Sequence, residues 1–108
     1  GSYDREEFWL VGRDGGGTIV CGLLGRRDYR WLMIDWLWCG EDHRGQGVGR
    51  RMMAEAEDFA CERGLLGLFV QTASFQAPGV YRRLGFVEFG RLDDLLPGHA
   101  MIWLRKRL

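Results

Sequence analysis

One stretch constrains this chain more than any other. The apolar run Trp31-Leu32-Met33-Ile34-Asp35-Trp36-Leu37-Trp38-Cys39 passes through Gly40 into Arg44-Gly45-Gln46-Gly47-Val48-Gly49-Arg50, and then into a helical pattern. The run is apolar on both alternating faces except at Asp35, which predicts a central strand covered on both sides. From Gly47 the period changes. Val48, Met52, Ala56, Phe59 and Ala60 fall on one stripe, Arg50, Arg51, Glu57, Asp58 and Glu62 face the other way, and Gly64 is the natural stop. Glycines between a buried strand and a helix let bare backbone approach a ligand, and the helix start adds unpaired N–H groups with a partial positive charge. The spacing therefore predicts a seat for a phosphate or diphosphate, with Arg44 and Arg50 beside it. The other use of such a loop is simply to pack the helix against the strand.

Two familiar phosphate loops are excluded. Gly40 and Gly45 have the Walker gap, but Gln46-Gly47 stands where Lys-Ser/Thr is required. Gly45 and Gly47 begin a dinucleotide fingerprint, but Arg50 occupies its third glycine position.

The remaining elements follow from local pattern. Residues 6–13 read as a strand, Asp14-Gly15-Gly16-Gly17 as a tight turn and residues 18–24 as the returning strand, with a polar turn around Arg26-Arg27-Asp28. Residues 65–72 read as a short buried strand. Residues 76–84 read as a second helix, with Pro78 in its first turn, Ala77, Val80, Tyr81 and Leu84 on one face, and Gly85 as terminator. Residues 86–92 and 99–106 are closing strands, joined by a loop containing Asp93-Asp94 and Pro97-Gly98. The expected order is β-β-β-α-β-α-β-β, an α/β fold of the α+β type. It comprises a mixed, mostly antiparallel sheet with helices packed on it and a parallel crossover from Trp38 to Val70.

Composition narrows the function. At 108 residues there is room for one domain, and a formal net charge of +0 supplies no global field for nucleic acid or an anionic membrane. No apolar run reaches the roughly 18–20 residues of a membrane span. The cysteines, Cys21, Cys39 and Cys61, are odd in number and widely spaced, which suits reduced thiols in the cytoplasm. Cys39 and His43 form a pair that falls short of a zinc site, so no metal is expected. Gly1-Ser2, with no Met, reads as a cloning remnant, and residues 3–108 as a single domain.

Arg44-x-x-Gly47-x-Gly49 after a hydrophobic strand resembles the acyl-CoA motif of the GNAT acyltransferases, Gln/Arg-x-x-Gly-x-Gly/Ala. Downstream, Phe75-Gln76-Ala77-Pro78-Gly79-Val80-Tyr81-Arg82-Arg83-Leu84-Gly85-Phe86 resembles that family's second motif, a Tyr-bearing helix followed by Leu-Gly-Phe. The likeness runs from about Glu6 to Leu108. It implies acetyl-CoA as cosubstrate, with the pantetheine arm along Leu37, Trp38 and Cys39, and the diphosphate on the amides of Arg44, Gly45, Gln46, Gly47, Val48, Gly49 and Arg50. It implies direct attack by an amine, small-molecule or peptide, and a backbone N–H at the strand end that stabilises developing negative charge.

Tyr81 matches the family tyrosine that protonates the departing thiolate, as a phenol titrating near ~10 can; its other role is a core side chain beside Leu84. Asp35 is either a buried proton acceptor, since burial favours a protonated carboxyl, or a structural residue at an irregularity. Gln76 is a CoA contact or a helix cap. Trp36 and Trp38 are core, or walls of an acceptor pocket. Glu41 and Asp42 sit at the loop mouth in solvent. The resemblance also implies an N-terminal strand and helices that this sequence lacks before residue 6, and the exposed sheet then favours a homodimer. The alternative function is a non-catalytic acyl-CoA-binding module, or part of a longer protein.

Overall fold

In a computed structural model of the protein, residues 6–76 and 78–108 are described. The N-terminal hairpin joins β1 (Glu7–Arg13) to β2 (Ile19–Asp28). Its turn is held by Asp14, whose Oδ1 accepts the N–H groups of Gly16 and Thr18 at 2.9 and 3.0 Å, and Gly17 supplies a φ of 86°. β2 does not turn at Arg26-Arg27-Asp28 as the polar composition suggested. It continues through Asp28, and the reversal falls at Tyr29, with φ 56°, and Arg30. β3 (Trp31–Cys39) leads through a 3₁₀ turn at Glu41–His43 and the glycine loop into α1 (Val48–Glu62). β4 (Gly67–Ala73), a 3₁₀ turn at Ser74–Gln76, α2 (Gly79–Arg83), β5 (Val87–Leu96) and β6 (His99–Arg107) complete the chain.

The six strands lie in the order β1-β2-β3-β4-β6-β5, antiparallel everywhere except between β3 and β4. The expected element order and sheet type are those observed. The second helix is shorter than residues 76–84, because Gln76 belongs to the 3₁₀ turn and regular helix begins only at Gly79; Ala77 lies outside the described residues. β5 also runs past Asp93-Asp94, with Asp94 at φ 58° and an irregular register between Leu92 and Leu96, so the turn is confined to Pro97-Gly98.

Both helices cover one face of the sheet. Leu23, Leu32, Ile34, Leu68, Ile102 and Leu104 on that face are essentially inaccessible and meet Met52, Met53, Ala56, Phe59 and Ala60 of α1. Fully burying each such aliphatic side chain stabilises the fold by about 1.5–3 kcal/mol. The α1 end is pinned by Arg63, which makes a bidentate pair with Glu6 (2.7 and 2.9 Å) and lies 3.7 Å over the Phe59 ring. Both helices stop by the same device. Gly64 and Gly85 take positive φ, and the pairs Gly64 N–H to Cys61 C=O with Leu65 N–H to Ala60 C=O, and Gly85 N–H to Arg82 C=O with Phe86 N–H to Tyr81 C=O, close the last turns.

The central strand is not covered on both sides, and a bulge explains why. Gly25 pairs with Ile34 but Leu24 pairs with Trp36, so Asp35 is an extra residue. Ile34 faces the helices, and so do Leu37 and Cys39, which pair with the buried Leu23 and Cys21. Trp36 and Trp38 stand on the other face, 49% and 40% exposed. Among the described residues no helix covers that face, and no helix is long and apolar enough to cross a membrane.

Candidate active site: a cleft where two parallel strands part

The parallel ladder pairs Trp31–Ile34 with Gly67–Val70 and goes no further. Beyond it β3 and β4 diverge, and the bulge at Asp35 coincides with the point of separation. The wedge between them opens into a cleft of about 640 Å³. Leu37, Trp38 and Cys39 form the β3 side, the glycine loop and start of α1 form the floor, and Gln76 with Tyr81 closes the β4 side.

The loop is built to leave its amides free. Gly40 N–H bonds Val20 C=O at 2.7 Å and His43 N–H bonds Gly40 C=O at 2.9 Å, which fixes the entry. Gln46 Nε2 donates to the Asp42 carbonyl (3.4 Å), Arg51 Nη1 to the Gln46 carbonyl (3.4 Å) and Arg44 Nε to the Cys39 carbonyl (3.3 Å). Gly45 and Gly47 adopt φ 79° and 80°, the left-handed region that other residues enter at a cost. Gly47 is the N-cap of α1 and brings no side-chain cap. Among the described residues, the N–H groups from Gly45 to Arg50 have no hydrogen-bond partner. A Cβ added at Gly45 or Gly49 would meet no atom within 4 Å, so the space beside these amides is open. Such a row of donors at a helix start, with Arg44, Arg50 and Arg83 on the cleft wall, suits a diphosphate.

Tyr81 is set by the helix stop described above. Its carbonyl takes the Phe86 N–H, and the Phe86 ring packs edge-on against the phenol at 5.7 Å and 71°. This apolar contact belongs to the glycine-stopped turn itself, so Leu84-Gly85-Phe86 acts as the fixture for the Tyr81 ring. The side chain is buried, and burial pushes its hydroxyl above the ordinary phenol value. Among the described residues that hydroxyl has no hydrogen-bond partner. An orphan buried hydroxyl on a cleft wall is a group waiting for a ligand atom. Gln76 caps no helix; its Oε1 accepts the Ala73 N–H at 3.0 Å, fastening the end of β4.

Cys39 sits directly across from Cys21. Gly40 N–H to Val20 C=O marks their neighbours as a hydrogen-bonded pair, so the two cysteines occupy a non-hydrogen-bonded position, where side chains approach closely. Burial first, and then the contact with Cys21, push the Cys39 thiol up to about 11.

The cleft thus gathers most of the expected residues: Leu37, Trp38, Cys39, Arg44, Gly45, Gly47, Val48, Gly49, Arg50, Gln76 and Tyr81. Gln46 belongs to the loop but does not line the cleft. Asp35 is corrected in its surroundings. It is not buried among apolar side chains but lies on the face away from the helices, with Arg26 Nη2 at 3.4 Å. His43, Val80, Arg83 and Leu84 also line the cleft and were not anticipated. Arg83 was legible in principle, because helical spacing places it one turn from Val80.

A family model described as the acetyltransferase (GNAT) family matches residues 2–86. An acetyltransferase of Agrobacterium fabrum is 33% identical over 107 residues, covering 99% of this chain and 78% of the relative. Blasticidin-S acetyltransferase of Streptomyces morookaense is 40% identical over 93 residues, 85% of this chain and 68% of the relative. The crystal structure of an acetyltransferase from Bacillus cereus superposes with a TM-score of 0.87 at 33% identity, covering 100% of this chain and 79% of that one.

Proposed function

The chain belongs to the GNAT acetyltransferase family, and from that premise we propose that it moves the acetyl group of acetyl-CoA to a primary amine, with Tyr81 as general acid. The single observation that carries this is the meeting, in one cleft, of the unpartnered amide row at the start of α1 with the orphan hydroxyl of Tyr81. A diphosphate needs the first, and only chemistry at a leaving sulfur needs the second.

Acetyl-CoA supplies an activated acyl carbon and a thiolate leaving group. The amides from Gly45 to Arg50 hold its diphosphate, helped by the charge of Arg44, Arg50 and Arg83. Gln76 and the unpaired edge of β3 at Leu37, Trp38 and Cys39 orient the pantetheine arm along the wedge. An amine reaches the wedge from the helix-free face, where the Asp35 carboxylate accepts its proton as the N–C bond forms. Tyr81 gives its hydroxyl proton to the sulfur as the C–S bond breaks. Its raised pKa keeps that proton in place at neutral pH, and general acids of this kind contribute about 10²–10⁴-fold.

The relative named blasticidin-S acetyltransferase supports a small-molecule amine as acceptor. We place the reaction in the cytoplasm, consistent with three free cysteines. We also propose a homodimer through the apolar edge strand β5, where Val87, Phe89 and Leu92 are exposed. The test is calorimetric titration with acetyl-CoA together with thiol release over a panel of amines. Saturable binding with amine-dependent release of CoA is expected. No binding would overturn the reading, and binding without release on any amine would leave an acyl-CoA-binding module.

A further inference from the structure

The helix-free side of the wedge carries a feature that acetyl transfer alone does not require. Trp36 and Trp38, successive outward residues of β3, are stacked with ring centroids 6.1 Å apart and planes 15° from parallel. Both are substantially exposed, so the pair is a platform rather than a core. It is also held in place. Gly22 lies beneath Trp36, and a Cβ there would come within 2.7 Å of the ring, so the glycine lets the indole lie flat on β2. The far edge of Trp38 reaches Gly40, 3.8 Å from where a Cβ would stand.

Carboxylates stand at both ends of the platform, with Arg26 beside one of them and Arg44, bonded to the Cys39 carbonyl, near the other. At the Trp36 end is Asp35; its partner Arg26 is itself flanked by Glu7, which pairs with it across β1 and β2. At the Trp38 end, Glu41 and Asp42 follow Gly40 directly, are exposed, and make no ion pair among the described residues. Aromatic faces bounded by carboxylates attract cations, and planar delocalised cations best of all because they stack as well as attract.

We propose that the acceptor is a primary amine that also carries a second, planar cation of the guanidinium or amidinium type. The planar cation lies on Trp36 and Trp38 towards Glu41 and Asp42, while the reacting amine sits at the wedge beside Asp35. This inference rests on the acetyl-transfer reading above and deepens it by naming the acceptor class. Agmatine, a primary amine joined to a guanidinium by a short alkyl chain, is the probe of that class.

The experiment compares agmatine with N-(4-aminobutyl)urea, which has the same length and planarity but no second charge, by kcat/KM for CoA release from the full chain. Agmatine is expected to be favoured by about tenfold. Trp36→Leu should bring the ratio to within twofold of unity, with the acetyl-CoA dissociation constant within twofold of wild type. The doubly neutralised Glu41→Gln, Asp42→Asn protein, altered only on an exposed turn, should lower the ratio about threefold. Equal use of the two amines by the wild type, or a ratio untouched in both variants, overturns the proposal. If the wild type binds no acetyl-CoA the transfer reading fails separately. The platform is then judged by quenching of tryptophan fluorescence, where agmatine must quench in preference to the urea.

Discussion

Replacing Gly49 by valine separates what the glycine loop does for the fold from what it does for the ligand. Gly49 lies in the first turn of α1, at negative φ, and a Cβ there meets nothing within 4 Å. Valine and glycine differ by only about 0.3 kcal/mol within a helix, so G49V should keep its Tm within about 2 °C of wild type. The branched side chain, larger than the alanine the acyl-CoA motif admits here, fills the space beside the loop amides, where the proposal puts a diphosphate. Displacing one hydrogen bond to a charged oxygen removes about 1.5–3 kcal/mol, which weakens acetyl-CoA binding by roughly 12- to 140-fold. Gly47→Ala supplies the contrast. At φ 80° a side chain is strained by about 1–2 kcal/mol, so both Tm and affinity should fall. Thermal unfolding and isothermal titration on the three proteins read the two quantities independently. A G49V protein with unchanged Tm and wild-type affinity would refute the placement of the diphosphate.

Tyr81→Phe should lower kcat by about 10²–10⁴-fold and leave acetyl-CoA affinity within twofold, measured by initial rates and titration; equal loss of both would remove the acid role. Because burial raises the Tyr81 pKa, wild-type activity should persist until the hydroxyl ionises, above about pH 10. The stabilisation from keeping the phenol neutral is complete below the unfolded value near 10 and is lost as pH rises through the folded value; an alkaline limb near neutrality would contradict this. Cys39, pushed up to about 11 and half-buried, should react with iodoacetamide at pH 7.5 more slowly than the exposed Cys61, and more slowly still with CoA bound, as peptide mass mapping would show. Gly67→Ala should destabilise the fold by more than about 2 kcal/mol in a urea titration. The added carbon would collide with the Lys106 carbonyl and come within 2.8 Å of the Trp31 ring, where β3, β4 and β6 are paired.

Much of this architecture was legible because its signals are local. The stripe on α1, the stop at Gly64, the Asp14 turn and the Leu84-Gly85-Phe86 fixture each express a rule carried by a few neighbouring residues. What escaped depends on residues far apart. Three tryptophans around Asp35 made that position look interior, but a bulge is a mismatch of count between two strands and leaves no mark on either alone. Arg26-Arg27-Asp28 looked like a turn, yet polar residues at the end of β2 are tolerated where Arg26 finds Asp35 and Glu7 on one face. Asp93 and Asp94 likewise fall within β5 because Leu92 and Leu96 on either side pair with Met101 and His99 of β6, the aspartates lying in the irregular stretch between them. Within the cleft, the β3 edge, the loop glycines and Tyr81 came from motif spacing, while His43 and Arg83 enter only because the loop and α2 converge in space.

The extra residue at position 35 has a consequence for how such a chain could change. A pleated strand has a two-step reading frame, and a bulged residue stands outside it. Excising Asp35 would leave Ile34 and Trp36 as immediate neighbours in the register they already hold, so both indoles would stay outward and Leu37 and Cys39 would stay beneath α1. What would vanish is the bend at the point where β3 leaves β4. A deletion of three bases would thus spare the facing of the strand and straighten it, and lineages that keep the activity should vary position 35 in identity far more readily than in existence.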